Sequence, residues 1–312
     1  MMTKLKIGVI GGNGFIGKHL VAELSKYKNI ENIKVFGRQP IFINSKDIKP
    51  EYYQINLLNS QSYKDKIVDL DIIYYLASET TPLSSWKNPT IEITKNLTPL
   101  IEFLEIIKNS DVKKIVFTSS AGTIYGPSAL SKDETNLTTP FSPHGIGKLA
   151  MEHFLEYYRV NYNLNYDVFR ISNAYGPGLD ISNGLGLINT LLENLIQSKT
   201  STIFGNGKAF RNFIFIDDIV KTLGYSTKFS YFESNILNLA SNENATINQV
   251  IKTIEKITHE KLDIQYINQR NSDNPTIKIS NNKLLKKIPE LSLTDLEKGI
   301  ELTYLNLKNN NL

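Results

Sequence analysis

No cysteine occurs anywhere in the chain. A disulfide framework, a thiolate nucleophile and a cysteine-ligated zinc site are therefore excluded, and nothing in the fold depends on an oxidising compartment. A surplus of one charge sign is also missing. The 35 Lys and Arg against 31 Asp and Glu leave a formal +4 over 312 residues, short of the clustered basic excess that nucleic-acid binders carry. Long apolar runs are absent too. The first, at 7–10, is broken by Gly8 and followed by glycines, and no later stretch approaches the roughly 20 apolar residues of a membrane span. The expectation is a cytosolic protein with a small-molecule partner, neither nucleic acid nor membrane. What the chain does have is 41% hydrophobic residues, enough to bury a core in two domains, or in one large domain with an appended lobe.

In the first half, short apolar runs alternate with helical patterns, the signature of parallel strands joined by crossover helices in an α/β fold. The runs predict strands at 5–10, 33–36, 52–55, 72–76, 115–119 and 166–171. Leu97, Leu100, Ile101, Leu104 and Ile107 mark one helical stripe between the fourth and fifth. The second half predicts a helix at 187–196 and strands at 202–204, 213–216 and 236–239. An amphipathic helix through Ile247, Val250, Ile251, Ile254 and Ile257 follows, with Thr246 as its N-cap.

After the first strand comes Gly11-Gly12-Asn13-Gly14-Phe15-Ile16-Gly17, a glycine pattern whose place between a strand and an amphipathic helix makes it informative. Such a loop offers a tight turn, a backbone that pyrophosphate can approach, and a helix N-terminus that attracts the anion. After the second strand, Gly37-Arg38 stands where an NAD-preferring site would carry an acid. A guanidinium there suits a 2′-phosphate and favours NADP, with NAD as the alternative; an ordinary solvated charge is the bland reading.

Together with this loop, Leu76-Ala77, Phe117-Thr118-Ser119-Ser120, Ile124-Tyr125-Gly126, Ser142-Pro143-His144-Gly145-Ile146-Gly147-Lys148 and the run 170–178 follow in order. Phe204-Gly205-Asn206-Gly207, Arg211-Asn212-Phe213 and Asp217-Asp218 come next, before a closing helix at 293–303. In this order the chain resembles the extended short-chain dehydrogenase/reductases that epimerise, dehydrate or reduce nucleotide-diphosphate sugars. The resemblance implies a doubly wound parallel sheet, a Rossmann-type NAD(P) domain, with a smaller C-terminal α/β lobe that binds the sugar nucleotide. The expected boundaries are 1–173 with 213–239 for the dinucleotide domain, and 174–212 with 240–312 for the substrate lobe. It also implies a homodimer. Cofactor contacts fall on Gly11, Gly14, Phe15, Ile16, Gly17, Arg38, Asn56, Leu57, Leu76, Ala77 and Lys148.

The family's chemistry rests on a Tyr-x-x-x-Lys pair on one helix face. Here Lys148 is in place and His144 occupies the tyrosine position. Imidazole can still move a proton: the neutral ring is a base for oxidation and the imidazolium an acid for reduction. Alternatively, His144 fills space in an altered site. The family's hydroxyl position, four residues before Tyr125, holds Ala121, which makes Thr123 the first candidate and Ser120 the second. Asn56 and Gly147 also depart from the pattern, the latter replacing a small hydroxyl residue. Asn173, Arg211, Arg270 and Tyr125 are the implied substrate contacts, the arginines suiting a diphosphate. Asp217 reads as a helix cap. His19, His153 and His259 form no ligand spacing, so no metal is expected.

Three activities stay open on this scaffold. Reduction of a 4-keto sugar nucleotide by NADP(H) is preferred on Arg38, 4-epimerisation with retained NAD comes second, and a dinucleotide sensor without catalysis is third.

Overall fold

The computed structural model describes residues 4–39, 48–128, 130–182, 184–268 and 276–310. The first half supplies β1 (Leu5–Ile10), β2 (Ile30–Gly37), β3 (Glu51–Gln54), β4 (Ile72–Tyr75) and β5 (Lys114–Ser120), and β6 (Asn165–Ile171) and β7 (Asn235–Leu239) join later. Their spatial order is β7-β6-β5-β4-β1-β2-β3. The pairings of β1 with β2 and β4, of β2 with β3, and of β4 with β5 are parallel. The strand order therefore reverses between β1 and β4, the switch point of a doubly wound sheet, where ligands of such folds bind.

Sequence accounts for this placement. All of β1 but Lys6 is buried, as a central parallel strand covered on both faces requires. The edge strand β3, Glu-Tyr-Tyr-Gln, is exposed or half-buried throughout. Strand β2 starts three residues before the expected 33 because Ile30 is itself buried and pairs with Leu5. Ile73, Tyr75, Ile115 and Phe117 of the sheet form one core with Leu100, Phe103, Leu104 and Ile107 of the helix Thr98–Ile107, and with Met151, Leu155 and Tyr158 of the helix Pro143–Tyr162.

The chain divides into two compact units, one of residues 1–120, 140–170 and 220–237, the other of 121–139, 171–219 and 238–312. The first holds the seven-stranded sheet. In the second, Phe210–Phe215 pairs antiparallel with Asn244–Thr246 and parallel with Asn173–Tyr175. The helices Leu187–Ile196, Ile247–Thr258 and Leu296–Asn310 pack on one another there. The division differs from the expected boundaries at 121–139, 171–173, 213–219 and 238–239, which lie in the second unit. The Tyr125 hydroxyl donates to Asn238, Thr139 donates to the Tyr125 carbonyl, and Phe213 pairs with Asn173.

Thr246 caps its helix as expected, in a reciprocal capping box with Gln249. Asp217 does not act as a cap. The helix Ile216–Gly224 already begins at Ile216 and leaves Asp217 exposed in its first turn, while buried Asp218 accepts hydrogen bonds from the backbone and hydroxyl of Thr294. That tether holds 293–295 out of the closing helix, which runs Leu296–Asn310 and not 293–303.

Candidate active site

The glycine loop lies at the switch point. Gly11 takes a positive φ of 82°, and a Cβ there would come within 2.8 Å of the Ala77 nitrogen, so the loop is seated directly on the residues that follow β4. Leu76 extends that strand by donating to the Ile10 carbonyl. Gly14 is the N-cap of the helix Phe15–Leu24, with no side-chain cap and no acid in the first turn. An uncapped N-terminus of this kind leaves N–H groups without side-chain partners at its positive end, and Gly14 is exposed beside half-buried Phe15 and Ile16. Gly17 is buried against Gly11 and Gly12, closer than any side chain permits.

Two observations fit a bound dinucleotide: this uncapped N-terminus, and the side-chain amide of Asn13. Both polar atoms of that amide are buried without a partner among the described residues, next to Gly37 at the end of β2. Arg38 is exposed and ion-paired with Glu79. Asn56 is exposed and closes a turn by accepting from Leu58, while Leu57 packs on the core.

Ser142 and Pro143 start the helix Pro143–Tyr162, Ser142 accepting from Gly145. His144 therefore sits in the first turn and Lys148 one turn further along the same face. Lys148 is buried, donates to the Thr118 carbonyl at 3.0 Å and lies 4.9 Å above the Phe117 ring. Burial lowers its pKa to about 8, against the attraction of Glu92 and Glu152.

Nδ1 of His144 meets Oε1 of Glu92 at 3.1 Å. Glu92 is 3% exposed and held on every side. The Thr80 hydroxyl donates to Oε1 at 2.6 Å and Asn96 Nδ2 donates to Oε2 at 2.9 Å. Asn96 Nδ2 also donates to Thr80 Oγ1, and Asn96 Oδ1 accepts from the Glu79 backbone. Burial by itself would raise the Glu92 pKa, but the hydrogen bonds from His144, Thr80 and Asn96 outweigh it and bring the pKa down to about 2. Glu92 ends a helical turn and Asn96 lies in the π-helical turn Ile93–Leu97 that follows. Pro99 has no N–H to return to residue 95, which loosens the ladder at that point.

Sequence reading found His144 and Lys148 and missed Thr80, Glu92 and Asn96. The signal was there: stepping back by four along the stripe Leu104, Leu100 lands on Asn96 and then Glu92, polar residues at inward positions.

The remaining expected residues are spread over the two units. Ser120 ends β5 in the first unit, half-buried, next to Ser119, whose buried hydroxyl has no partner among the described residues. Thr123 belongs to the short helix Ala121–Ile124 of the second unit, and its hydroxyl is likewise buried and unpartnered among those residues. Ala121 is wholly buried with Tyr125, Ala240, Ile277 and Ile279. Tyr125 is 1% exposed with its hydroxyl donated to Asn238, an internal place that leaves it no surface to offer a substrate. Asn173 donates to the Asn212 carbonyl, and Arg211 donates to the carbonyl of Phe210. Arg270 lies outside the described residues.

A Rossmann-type sheet with an open glycine-loop helix at its switch point, and a lysine one turn from an imidazole beside it, defines an enzyme that works with a dinucleotide. Residues 7–233 match the NAD dependent epimerase/dehydratase family, and the chain belongs to that family. It is 28% identical over 318 residues to the UDP-glucuronate 4-epimerase of Thermodesulfobacterium geofontis, covering 96% of this chain and 94% of that one. It is 29% identical over 263 residues to the dTDP-4-dehydro-6-deoxyglucose reductase of Escherichia coli, covering 81% and 83%. Among solved structures, the UDP-glucose 4-epimerase of Thermotoga maritima with UDP-glucose superposes with a TM-score of 0.90 at 25% identity, covering 99% of this chain and all of that one.

Proposed function

We propose that the protein is a 4-epimerase of a UDP-linked hexose that keeps NAD through the catalytic cycle. The observation that carries the reading over reduction is the pairing of Arg38 with Glu79, and its acid/base is His144. It stands at the family's acid/base position, on one helix face with Lys148, and its Nε2 has no partner among the described residues.

Bound NAD supplies a reversible hydride acceptor. Nε2 of His144 takes the proton of the sugar 4-hydroxyl as the C4–H bond releases its electron pair as hydride, leaving a 4-keto sugar. In the reverse half-reaction, with hydride delivered to the other face of C4, the His144 imidazolium would return its proton to the C4 oxygen, so nothing is consumed. The Lys148 ammonium would hold the nicotinamide ribose. The uncapped helix at Gly14 takes the pyrophosphate, and the Asn13 amide takes adenosine ribose hydroxyls.

The pairing of Arg38 with Glu79 favours NAD over NADP, because a 2′-phosphate beside Arg38 would also meet the Glu79 carboxylate. A second reading, reduction of a 4-keto sugar nucleotide by NADPH, draws on Arg38 itself. Its side chain is 77% exposed, and a surface ion pair of that kind is weak enough to open.

The experiment is to incubate the NAD-loaded protein with UDP-glucose, UDP-N-acetylglucosamine and UDP-glucuronate and follow the 4-epimers by proton NMR. Interconversion without net change in nicotinamide absorbance supports the epimerase. Stoichiometric loss of NADPH with a 4-keto sugar nucleotide supports the reductase, and binding without turnover of any of them refutes both.

A further inference from the structure

The geometry points to Glu92 as a positioning residue that fixes the tautomer of His144 and balances the charge His144 gains, an inference that rests on His144 being the acid/base of the proposed reaction. An ionised carboxylate can only accept hydrogen bonds. Glu92 already accepts from Thr80 and Asn96, so the contact at 3.1 Å is made by Nδ1–H of His144 donating to Oε1. In the neutral ring the other nitrogen is then a bare acceptor. Nε2 is the atom without a partner among the described residues, in a side chain 10% exposed.

Charge supports the same assignment. For half of each cycle the ring must carry a proton while Lys148, one turn away, is also cationic, a repulsion that opposes protonation. Glu92 supplies the opposite charge to both: it touches His144 directly and attracts Lys148. Thr80 and Asn96 pin the carboxylate, so it orients the ring without following the proton, as a buried acid does behind a catalytic histidine in other folds.

The backbone accommodates this arrangement at one point. A Cβ on Gly147 would lie 3.0 Å from Oε2 of Glu92 and 3.2 Å from its Cβ. The helix bearing His144 comes this close to Glu92 because residue 147 has no side chain. His144 and Gly147, two separate departures from the family pattern, thus become parts of one arrangement with Glu92 at its centre.

The test is long-range 1H–15N correlation of the histidine rings in the NAD-loaded full chain, at a pH where the ring is neutral, with His144 assigned by its disappearance in His144→Phe. The expected wild-type ring has Nδ1 protonated and Nε2 bare, and Glu92→Gln is expected to populate the other tautomer. Protonation at Nε2 in the wild type overturns the proposal, and so does a Glu92→Gln spectrum that matches the wild type. Thr80→Val loosens Glu92 without removing its charge. It serves if Glu92→Gln does not fold, and is expected to shift the tautomer in the same direction, an unchanged ring counting against the proposal. With UDP-glucose as substrate, Glu92→Gln should lower kcat on the order of 100-fold and change KM by no more than about threefold. Wild-type kcat in Glu92→Gln alongside an inactive His144→Phe removes the role of Glu92 alone, whereas a fully active His144→Phe removes the reading beneath it.

Discussion

Nζ of Lys148 donates to the main-chain carbonyl of Thr118 at 3.0 Å, so a buried ammonium hangs from the end of β5 by a neutral acceptor. Burial lowers its pKa from 10.5 to about 8. Between those values the unfolded chain holds a proton that the folded chain has lost, so this group makes stability rise with pH across the window. Lys148→Met should flatten that rise in urea melts and stabilise the free protein at neutral pH by about 1–3 kcal/mol, while abolishing turnover. Loss of stability at neutral pH would show that the ammonium is better paired than its surroundings indicate.

The second prediction concerns the pair Arg38 and Glu79. Calorimetry should find NADH bound at least as tightly as NADPH, and Glu79→Gln should improve NADPH relative to NADH by about fivefold, the effect of removing one nearby like charge from a solvated 2′-phosphate. Tighter wild-type binding of NADPH would favour the reductase reading.

Elements in both units were legible where their signals are local. Strand β1 matches the predicted 5–10, and the helix Leu187–Ile196 matches 187–196, since apolar spacing and flanking glycines mark both. Elements whose ends depend on distant partners were harder to bound. The hold of Asp218 on Thr294 delays the last helix, and the pairing of Ile30 with Leu5 lengthens β2. The site was half legible. His144 and Lys148 stand in a recognisable motif, but Glu92 and Asn96 carry no motif and are polar residues on the inward stripe of Leu100 and Leu104, which a search for apolar spacing passes over.

A third prediction tests the close approach at residue 147. Gly147→Ala gains about 1 kcal/mol of helix propensity and loses a comparable amount to crowding, so thermal stability should change little. Glu92, pinned by Thr80 and Asn96, must still yield by a few tenths of an ångström. Turnover should then fall by about tenfold, because proton transfer is sensitive to such displacement. Unchanged turnover would mean that the carboxylate accommodates the methyl group freely.

Restoring the family's residue is the fourth. A phenol at position 144 faces an ionised carboxylate that opposes the loss of its proton. His144→Tyr alone should therefore turn over more slowly than the wild type, and adding Glu92→Gln should recover part of the loss. Full activity of the single variant in a pH–rate profile would show that Glu92 does not act on that position.

The most direct measurement is the rate of C4 inversion by the NAD-loaded enzyme, wild type against His144→Phe, followed by proton NMR on UDP-glucose, UDP-N-acetylglucosamine and UDP-glucuronate. Interconversion of at least one of them by the wild type, with a loss on the order of 100-fold or more in His144→Phe, is the result expected for a positioned acid/base group. Equal rates in the two proteins would contradict the account, because the proton would then come from water or another side chain.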